Sequence, residues 1–351
     1  MFWFLLKRLA NGFLVLFGVV SLVFVLFNVL PGDAAQMTLG QRSDIRSLEA
    51  VKKDLGLDQP LWMQYVLYLN DLSPISWHDH SPDNQQKYTY KVIANFENKV
   101  LVAKAPYLRQ SYQSKQTVNQ LLLQALPGTA VLAISAMLFA TFIGLLLGGI
   151  AAVFAHSWVD RLAVSLSIVG ISAPSYFASI LIAYLFGYLW HDFTGLSMTG
   201  SLYTYDPFQG RQLNLTNLIL PAITLGIRPL AIIVQLSRNT MLEVLSQDYV
   251  RTARAKGLSE WQVMSKHVLR NSLGPVVTAI SGWFASLLAG AVFVEYIFGW
   301  QGLGKVTVEA LMKFDLPVVM GSVLFVALAF VIINILVDFI YAWLDPRIRL
   351  Q

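Results

Sequence analysis

The chain has 351 residues, of which 56% are hydrophobic and only 13% charged, and it carries no cysteine and a net charge of +5. Soluble domains carry about 25% charged residues, so this composition, with a mean hydropathy of +0.58, describes a chain that crosses a bilayer several times. The missing cysteine excludes disulfides, thiolate metal sites and a cysteine nucleophile, and the modest positive charge reads as membrane topology rather than nucleic-acid binding.

Residues 1–30 open on Lys7 and Arg8 and continue as an apolar run over 9–29. A secretory leader has an apolar core of about 7–15 residues and a small-x-small cleavage site. This run is longer and ends in Leu30-Pro31-Gly32-Asp33, so it reads as an uncleaved first span with a cytoplasmic N-terminus. Residues 31–124 are polar. Ile45, Leu48, Val51 and Leu55 predict an amphipathic helix over 44–55, closed by Gly56. Pro60 starts a second helix carrying Tyr65, Leu69 and Leu72. KYTYKVI and KVLVAKA, on either side of Asn95-Phe96-Glu97-Asn98, predict a β-hairpin. His78-Asp79-His80 reads as a surface loop in preference to a metal site. The segment holds many lysines and arginines, but it exceeds the roughly 60 residues over which positive charge reports sidedness, and it is placed outside.

Pro127 opens a second span over 129–154. Gly144 and Gly148 there are compatible with close helix approach or with small residues merely facing lipid. A short turn over 156–161 leads to a third span, 162–189, holding Ser172-Ala173-Pro174-Ser175. Proline frees backbone carbonyls that the serines can re-satisfy, so a kink is expected, and Ser172, Pro174 and Ser175 are candidate pathway residues. An external loop, 191–217, precedes the fourth span, 218–236. Arg228 sits near its middle, before Pro229. An intramembrane arginine costs about 2.5–3.5 kcal/mol on insertion scales and must face protein or water. It is either a cationic lining group for an anionic part of a substrate or a structural group bonded to carbonyls or a partner subunit. Span five, 276–298, is rich in Ser281, Gly282, Ser286 and Gly290, with Glu295 placed at the outer interface. Span six, 318–343, carries Asn334 and Asp338, both read as interhelical hydrogen-bonding groups. The chain closes on Asp345-Pro346-Arg347-Ile348-Arg349. The expected fold is an all-α polytopic membrane protein with six transmembrane helices, both termini cytoplasmic, and a small external α(+β) insert between spans one and two. Its parts are the first span (1–30), the insert (31–124) and a five-span core (125–351).

On that topology the loop 237–275 faces the cytoplasm, and its Arg238, Arg251, Arg254, Lys256, Lys266 and Arg270 agree with the positive-inside rule. Asp248 can cap a helix whose Tyr249, Ala253 and Gly257 share one face. Gly257 suits a left-handed stop. Ser259-Glu260-Trp261-Gln262 reads as a capping box for a second helix with Trp261, Met264 and Val268 as its apolar stripe, and Pro275 opens span five. Two helices joined at a glycine corner can carry a push from a soluble partner into the membrane; a basic loop resting on lipid head groups has the same composition.

The run RTARAKGLSEWQVMSKHVLRNSLGPVV resembles the cytoplasmic loop, or EAA motif, of ATP-binding-cassette importer permeases, and within them the dipeptide, oligopeptide and nickel branch. The triplet falls at Arg251-Thr252-Ala253, where only the alanine is kept; Gly257 keeps the motif's glycine. LPGD, GLDQPLWMQY, SAPSYF, LPAITLG, FGWQGLG and DPRIR are similar in their own positions, while residues 73–108 look longer than the family's external segment. The resemblance implies one of two permease subunits, pairing with a second (a heterodimer) in a bacterial inner membrane. Two ATPase subunits would bind ATP and magnesium, and an external binding protein would deliver peptide, or alternatively nickel or another small solute. The coupling residues would be Asp248, Tyr249, Arg251, Ala253, Arg254, Ala255, Lys256, Gly257, Leu258 and Ser259. The chain itself would be non-catalytic, without cofactor, metal or nucleic acid, and it has no G-x-x-x-x-G-K-[ST] phosphate loop. A secondary carrier would have no need of a protruding helix pair. An intramembrane enzyme would need converging catalytic groups, yet Asp338 has no intramembrane acidic partner in the sequence and His78, His80, His156, His191 and His267 fall in predicted loops.

Overall fold

The computed structural model describes residues 2–28, 59–79, 84–85, 88–96 and 99–344. The amphipathic helix expected over 44–55, the LPGD segment, His80 and the terminal DPRIR lie outside them. The chain forms two compact units, one of Met1–Phe4, Ala125–Lys305 and Ala329–Gln351, the other of Leu5–Gln124 and Val306–Leu328.

The unit that contains the insert begins with α1 (Phe2–Asn28) and α2 (Leu61–Leu72). Val23 and Phe24 of α1 are buried with Tyr68 of α2 and with Met320 and Leu324, and the Ser21 and Tyr65 hydroxyls lie 2.6 Å apart. Strands β1 (Ile75–Asp79), β2 (Lys91–Asn95) and β3 (Lys99–Ala103) form an antiparallel sheet in the order β1-β3-β2. The expected hairpin is therefore β2–β3, with a bulge between Val92 and Ala94. Strand β1 stands where a surface loop holding His78 was expected. His78 is buried on β1, 2.9 Å from the Ser76 hydroxyl, because alternation along the strand turns Ser76 and His78 inward. Lys104 follows β3 and donates to the Asp71 carbonyl. Burial pulls its ammonium down to about 8, and the Asp71 carboxylate opposes that shift. Asp315 closes this unit by accepting from the Ser111 hydroxyl at 2.5 Å and the Tyr112 amide at 3.2 Å.

In the other unit, α3 (Val118–Val153) starts nine residues before Pro127, which sits inside it. The proline does not open the helix as expected; the polar turn over 118–124 already does. Next come α4 (Trp158–Ser172) and α5 (Ser175–Tyr184), the latter widening into a π turn over Leu185–Leu189. A two-stranded hairpin follows, β4 (Tyr203–Asp206) with β5 (Gly210–Leu213), in the segment read as plain loop. The long α6 (Thr216–Leu245) is flanked by α4, α5 and, later in the chain, α9 (Arg270–Gly290) and α10 (Val292–Phe298). Between them lie α7 (Asp248–Ala255) and α8 (Glu260–Gln262), the latter running through a π segment, Val263–Leu269, straight into α9. Pro275 is inside α9 rather than at its start. The chain finishes with α11 (Leu303–Met312) and α12 (Leu316–Leu344), of which residues 306–328 belong to the unit that contains the insert.

The G-x-x-x-G reading favours close approach. A Cβ on Gly144 would stand 2.7 Å from Ile233 Cγ2, and one on Gly148 would stand 1.9 Å from Ser237 Oγ and 2.8 Å from the Val234 carbonyl. A Cβ on Gly226 of α6 would likewise stand 2.8 Å from the Ala136 carbonyl. The α3–α6 seam is thus built of small residues that bring the two backbones together. Among the described residues, α3, α6 and the stretches Leu6–Phe27 and Leu316–Val337 are long and apolar enough to cross a membrane, and the α4–α5 pair makes a fifth if counted as one. That pair bends by 110°, a break where only a kink was expected. Asn334 donates to the Phe330 carbonyl of its own helix at 2.8 Å, not across helices as expected. The side chain of Asp338 lies outside what is described.

Candidate functional site

The polar loop folds as two helices about a glycine corner. Gly257 has φ +83, the left-handed conformation that glycine adopts without a Cβ penalty. Its amide donates to the Arg254 carbonyl at 2.9 Å and the Leu258 amide to the Ala253 carbonyl at 3.3 Å, which together are a Schellman stop. Ser259 then caps α8 reciprocally: Gln262 N donates to Ser259 Oγ at 3.4 Å, and Ser259 N donates to Gln262 Oε1 at 3.1 Å. Arg254 spans the corner with two bonds to Glu260, 2.9 and 3.1 Å. The corner is closed by backbone bonds, a capping box and a bidentate ion pair, and so holds a defined angle.

Three details differ from expectation. Gln247, not Asp248, is the N-cap of α7; Asp248 occupies the first turn, where its charge suits the helix dipole, and it lies 3.6 Å from Arg251. The buried face of α7 is Val250 and Ala253, not Tyr249, whose hydroxyl instead accepts from Asn271 Nδ2 at 3.1 Å. In the second helix Val263 and Val268 are buried while Trp261 is 80% exposed. A spacing of five residues matches a π turn, so the widened segment rotates the apolar stripe away from Trp261. Val250, Ala253, Val263 and Val268 form one buried cluster with Ala152 and Met241, and Leu258 packs against it. Of the candidate coupling residues, Asp248, Tyr249, Arg251, Arg254, Ala255, Lys256, Gly257 and Ser259 form the exposed rim, and Ala253 and Leu258 form the foot.

Sequence reading missed the ion pair that ties this region to the turn before α4. Asp160 is buried and accepts from Arg238 Nε, from Arg238 Nη2 at 2.7 Å and from the His156 amide at 2.8 Å. The only sequence signal was one acidic and one basic residue at the ends of different helices.

The candidate pathway residues divide. Ser175 and Arg228 line one cavity of about 80 Å³, with Gly170, Ala173, Thr224 and Trp283 among its other walls. Ser172 and Pro174 are exposed and outside it. Glu295 is not interfacial as expected but fully buried. It accepts from Thr129 Oγ1 at 2.6 Å, Gly304 N at 2.7 Å and Lys305 N at 3.3 Å, while Trp300 Nε1 reaches the Gly128 carbonyl at 2.9 Å. Thr129 is distant in sequence from Glu295, so no local pattern could have exposed this clasp.

Residues 144–350 match the family model of binding-protein-dependent transport system inner membrane components, and residues 1–133 match the N-terminal model of the same membrane components. The dipeptide transport system permease protein DppB of Escherichia coli (strain K12) is 35% identical over 367 residues, covering 99% of both chains. DppB of Alkalihalophilus pseudofirmus is 33% identical over 359 residues, covering 98% of both. Among solved structures, a chain of the MetNI methionine ABC transporter, described as inward facing, superposes with a TM-score of 0.50 at 16% identity, over 65% of this chain and 97% of that one. At that identity the likeness concerns the fold alone.

Proposed function

The chain belongs to the family of binding-protein-dependent transport system inner membrane components, and from that premise we propose that it is the multi-pass permease subunit of an ATP-driven importer of di- or oligopeptides. The peptide assignment is supported by the names of its relatives. It sits in a bacterial inner membrane as six spans with both termini cytoplasmic, α9 with α10 supplying the fifth. A second permease subunit completes the pathway. Two ATPase subunits hold the ATP and magnesium, this chain is non-catalytic, and an external binding protein delivers substrate.

The observation that carries the coupling role is the corner at Gly257. Helix α7 stands on a buried foot and presents Asp248, Tyr249, Arg251, Ala255 and Lys256 outward. A load on that rim passes to the Val250–Ala253–Val263–Val268 cluster and on into α9, because α8, the π segment and α9 are continuous helix. A solvated loop resting on lipid would need none of this bracing. Arg254 faces Glu260 and stiffens the corner, whereas Arg251, at 82% side-chain exposure and paired only with the equally exposed Asp248, can exchange that weak pair for a partner's carboxylate.

The test uses the assembled transporter with its ATPases and binding protein in vesicles. Gly257→Trp and Arg251→Glu should each uncouple ATP hydrolysis from uptake or detach the ATPases. Full coupled uptake in both variants sinks the coupling role.

A further inference from the structure

We propose that the cavity at the α4–α5 break is a transit site for a carboxylate, namely the free C-terminus of a peptide in passage, held by Arg228. The inference rests on the peptide-import reading above and adds a polar stop within the pathway.

Arg228 lies twelve residues beyond Thr216, about 18 Å along α6 at 1.5 Å per residue, deep within a span. It makes no hydrogen bond or ion pair with any described residue. The reading in which it is bonded to helix carbonyls therefore has no support within this chain. An unpaired guanidinium at such depth needs water or an anion, and the cavity it lines supplies the room. The cavity, about 80 Å³ and partly open, has room for several waters or for one carboxylate against the guanidinium. A terminal carboxylate is the anionic group shared by every peptide, whatever its side chains. The walls fit the same ligand. Ser175 and Ser286 bring polar groups, Thr224 Oγ1 already donates to the Leu220 carbonyl at 2.7 Å, and Leu225, Trp283 and Leu287 supply apolar wall, beside which a charge-assisted bond is strengthened. The break at Ala173 and Pro174 opens beside Ser175. The amide of Ser175, the first residue of α5 and a lining residue of the cavity, bonds to no described residue and is one of the unpaired donors of a helix start.

The experiment uses the whole reconstituted transporter with saturating loaded binding protein. Uptake is compared for two peptides of one sequence, one with a free C-terminal carboxylate and one amidated, in wild type, Arg228→Gln and Arg228→Lys. Arg228→Gln is expected to cut uptake of the free-carboxylate peptide by about ten- to a hundredfold, through kcat and not through KM for the loaded binding protein. It should change uptake of the amidated peptide by less than about twofold, and Arg228→Lys should restore most of the loss. Equal losses for both peptides, or no loss, overturn the proposal. Disappearance of the companion permease from the purified complex also overturns it, by showing that Arg228 pairs with that subunit's carboxylate. If the amidated peptide is not delivered even to wild type, the comparison of Lys with Gln on the free peptide decides: equal rates overturn the site. Wild-type uptake of neither peptide refutes peptide import itself, and this inference with it.

Discussion

Replacing Asp160 with asparagine keeps the side chain's shape and removes its charge. The carboxylate is buried and holds three donors, two from Arg238 and one from the His156 amide. Asparagine can serve one or two of these, so Arg238, at 18% side-chain exposure, keeps a nearly buried charge without its counter-ion. Removing one member of a buried, hydrogen-bonded pair costs about 3–5 kcal/mol. The residual exposure of Arg238 and the acceptor that asparagine retains bring the expectation down to about 2–4 kcal/mol. At about 2–4 °C per kcal/mol, the figure for domains of about 150–250 residues and an upper bound for this longer chain, the melting temperature of the detergent-solubilised protein should fall by at most about 4–16 °C. The assay is a double-mutant cycle on Asp160→Asn and Arg238→Gln, read by thermal unfolding. If the pair acts as described, the double variant is less destabilised than the sum of the single variants by about 2 kcal/mol. A coupling energy below about 0.5 kcal/mol would place the pair with ordinary surface salt bridges and refute the argument.

Other outcomes follow from the same geometry. Gly148→Leu should separate α3 from α6 and lower folded yield, with Gly148→Ala costing about 1–3 kcal/mol by overpacking against Ser237 Oγ; equal melting temperatures in detergent would contradict the seam. Gly257→Ala should cost only about 1–2 kcal/mol of left-handed strain, since nothing lies within 4 Å of its added Cβ; a larger loss on thermal unfolding would mean a steric contact that the geometry does not contain. Glu295→Ala strands the Thr129 hydroxyl and the Gly304 and Lys305 amides, and should destabilise by about 3 kcal/mol or more, measured against Thr129→Val as the milder partner. Lys104 carries a pH signature. Its folded ammonium titrates near 8, below the ordinary 10.5, so folding disfavours its charged form. The penalty is full below about pH 8 and fades as pH rises towards 10.5. Lys104→Met in the full chain should therefore melt higher than wild type at pH 7, with the gap closing by pH 10; a constant gap would contradict the burial argument.

The glycine corner was legible in sequence because its chemistry is local. A left-handed stop needs Gly257, and a capping box needs Ser259 and Gln262 three residues apart. The faces around it were not legible, because the π segment changes the helical period from within and puts Val263 where Trp261 was expected. The G-x-x-x-G pair was readable as small residues but not as a seam, since the facing Ile233 and Ser237 lie some ninety residues away. Asp160 with Arg238, and Glu295 with Thr129, are long-range pairs that no window along the chain contains. The same holds for the cavity. Arg228 was conspicuous as a charge in an apolar span, while Trp283 and the 110° turn that opens the space beside Ser175 are products of packing.

The unbroken helix from Glu260 to Gly290 has a mechanical meaning. Trp283 and Leu287, which wall the cavity, stand on the same hydrogen-bonded ladder as Glu260, which grips Arg254 at the corner. The separation of 27 residues between Glu260 and Leu287 is about 40 Å of helix, and it is spanned by backbone alone. A torque applied at the corner would therefore arrive at the cavity as rotation of a single shaft, without relay through side-chain contacts. The π turn at Val263–Leu269 and Pro275, which offers no amide to the ladder, are places along that shaft where winding can be gained or lost, so together they set the angle between input and output.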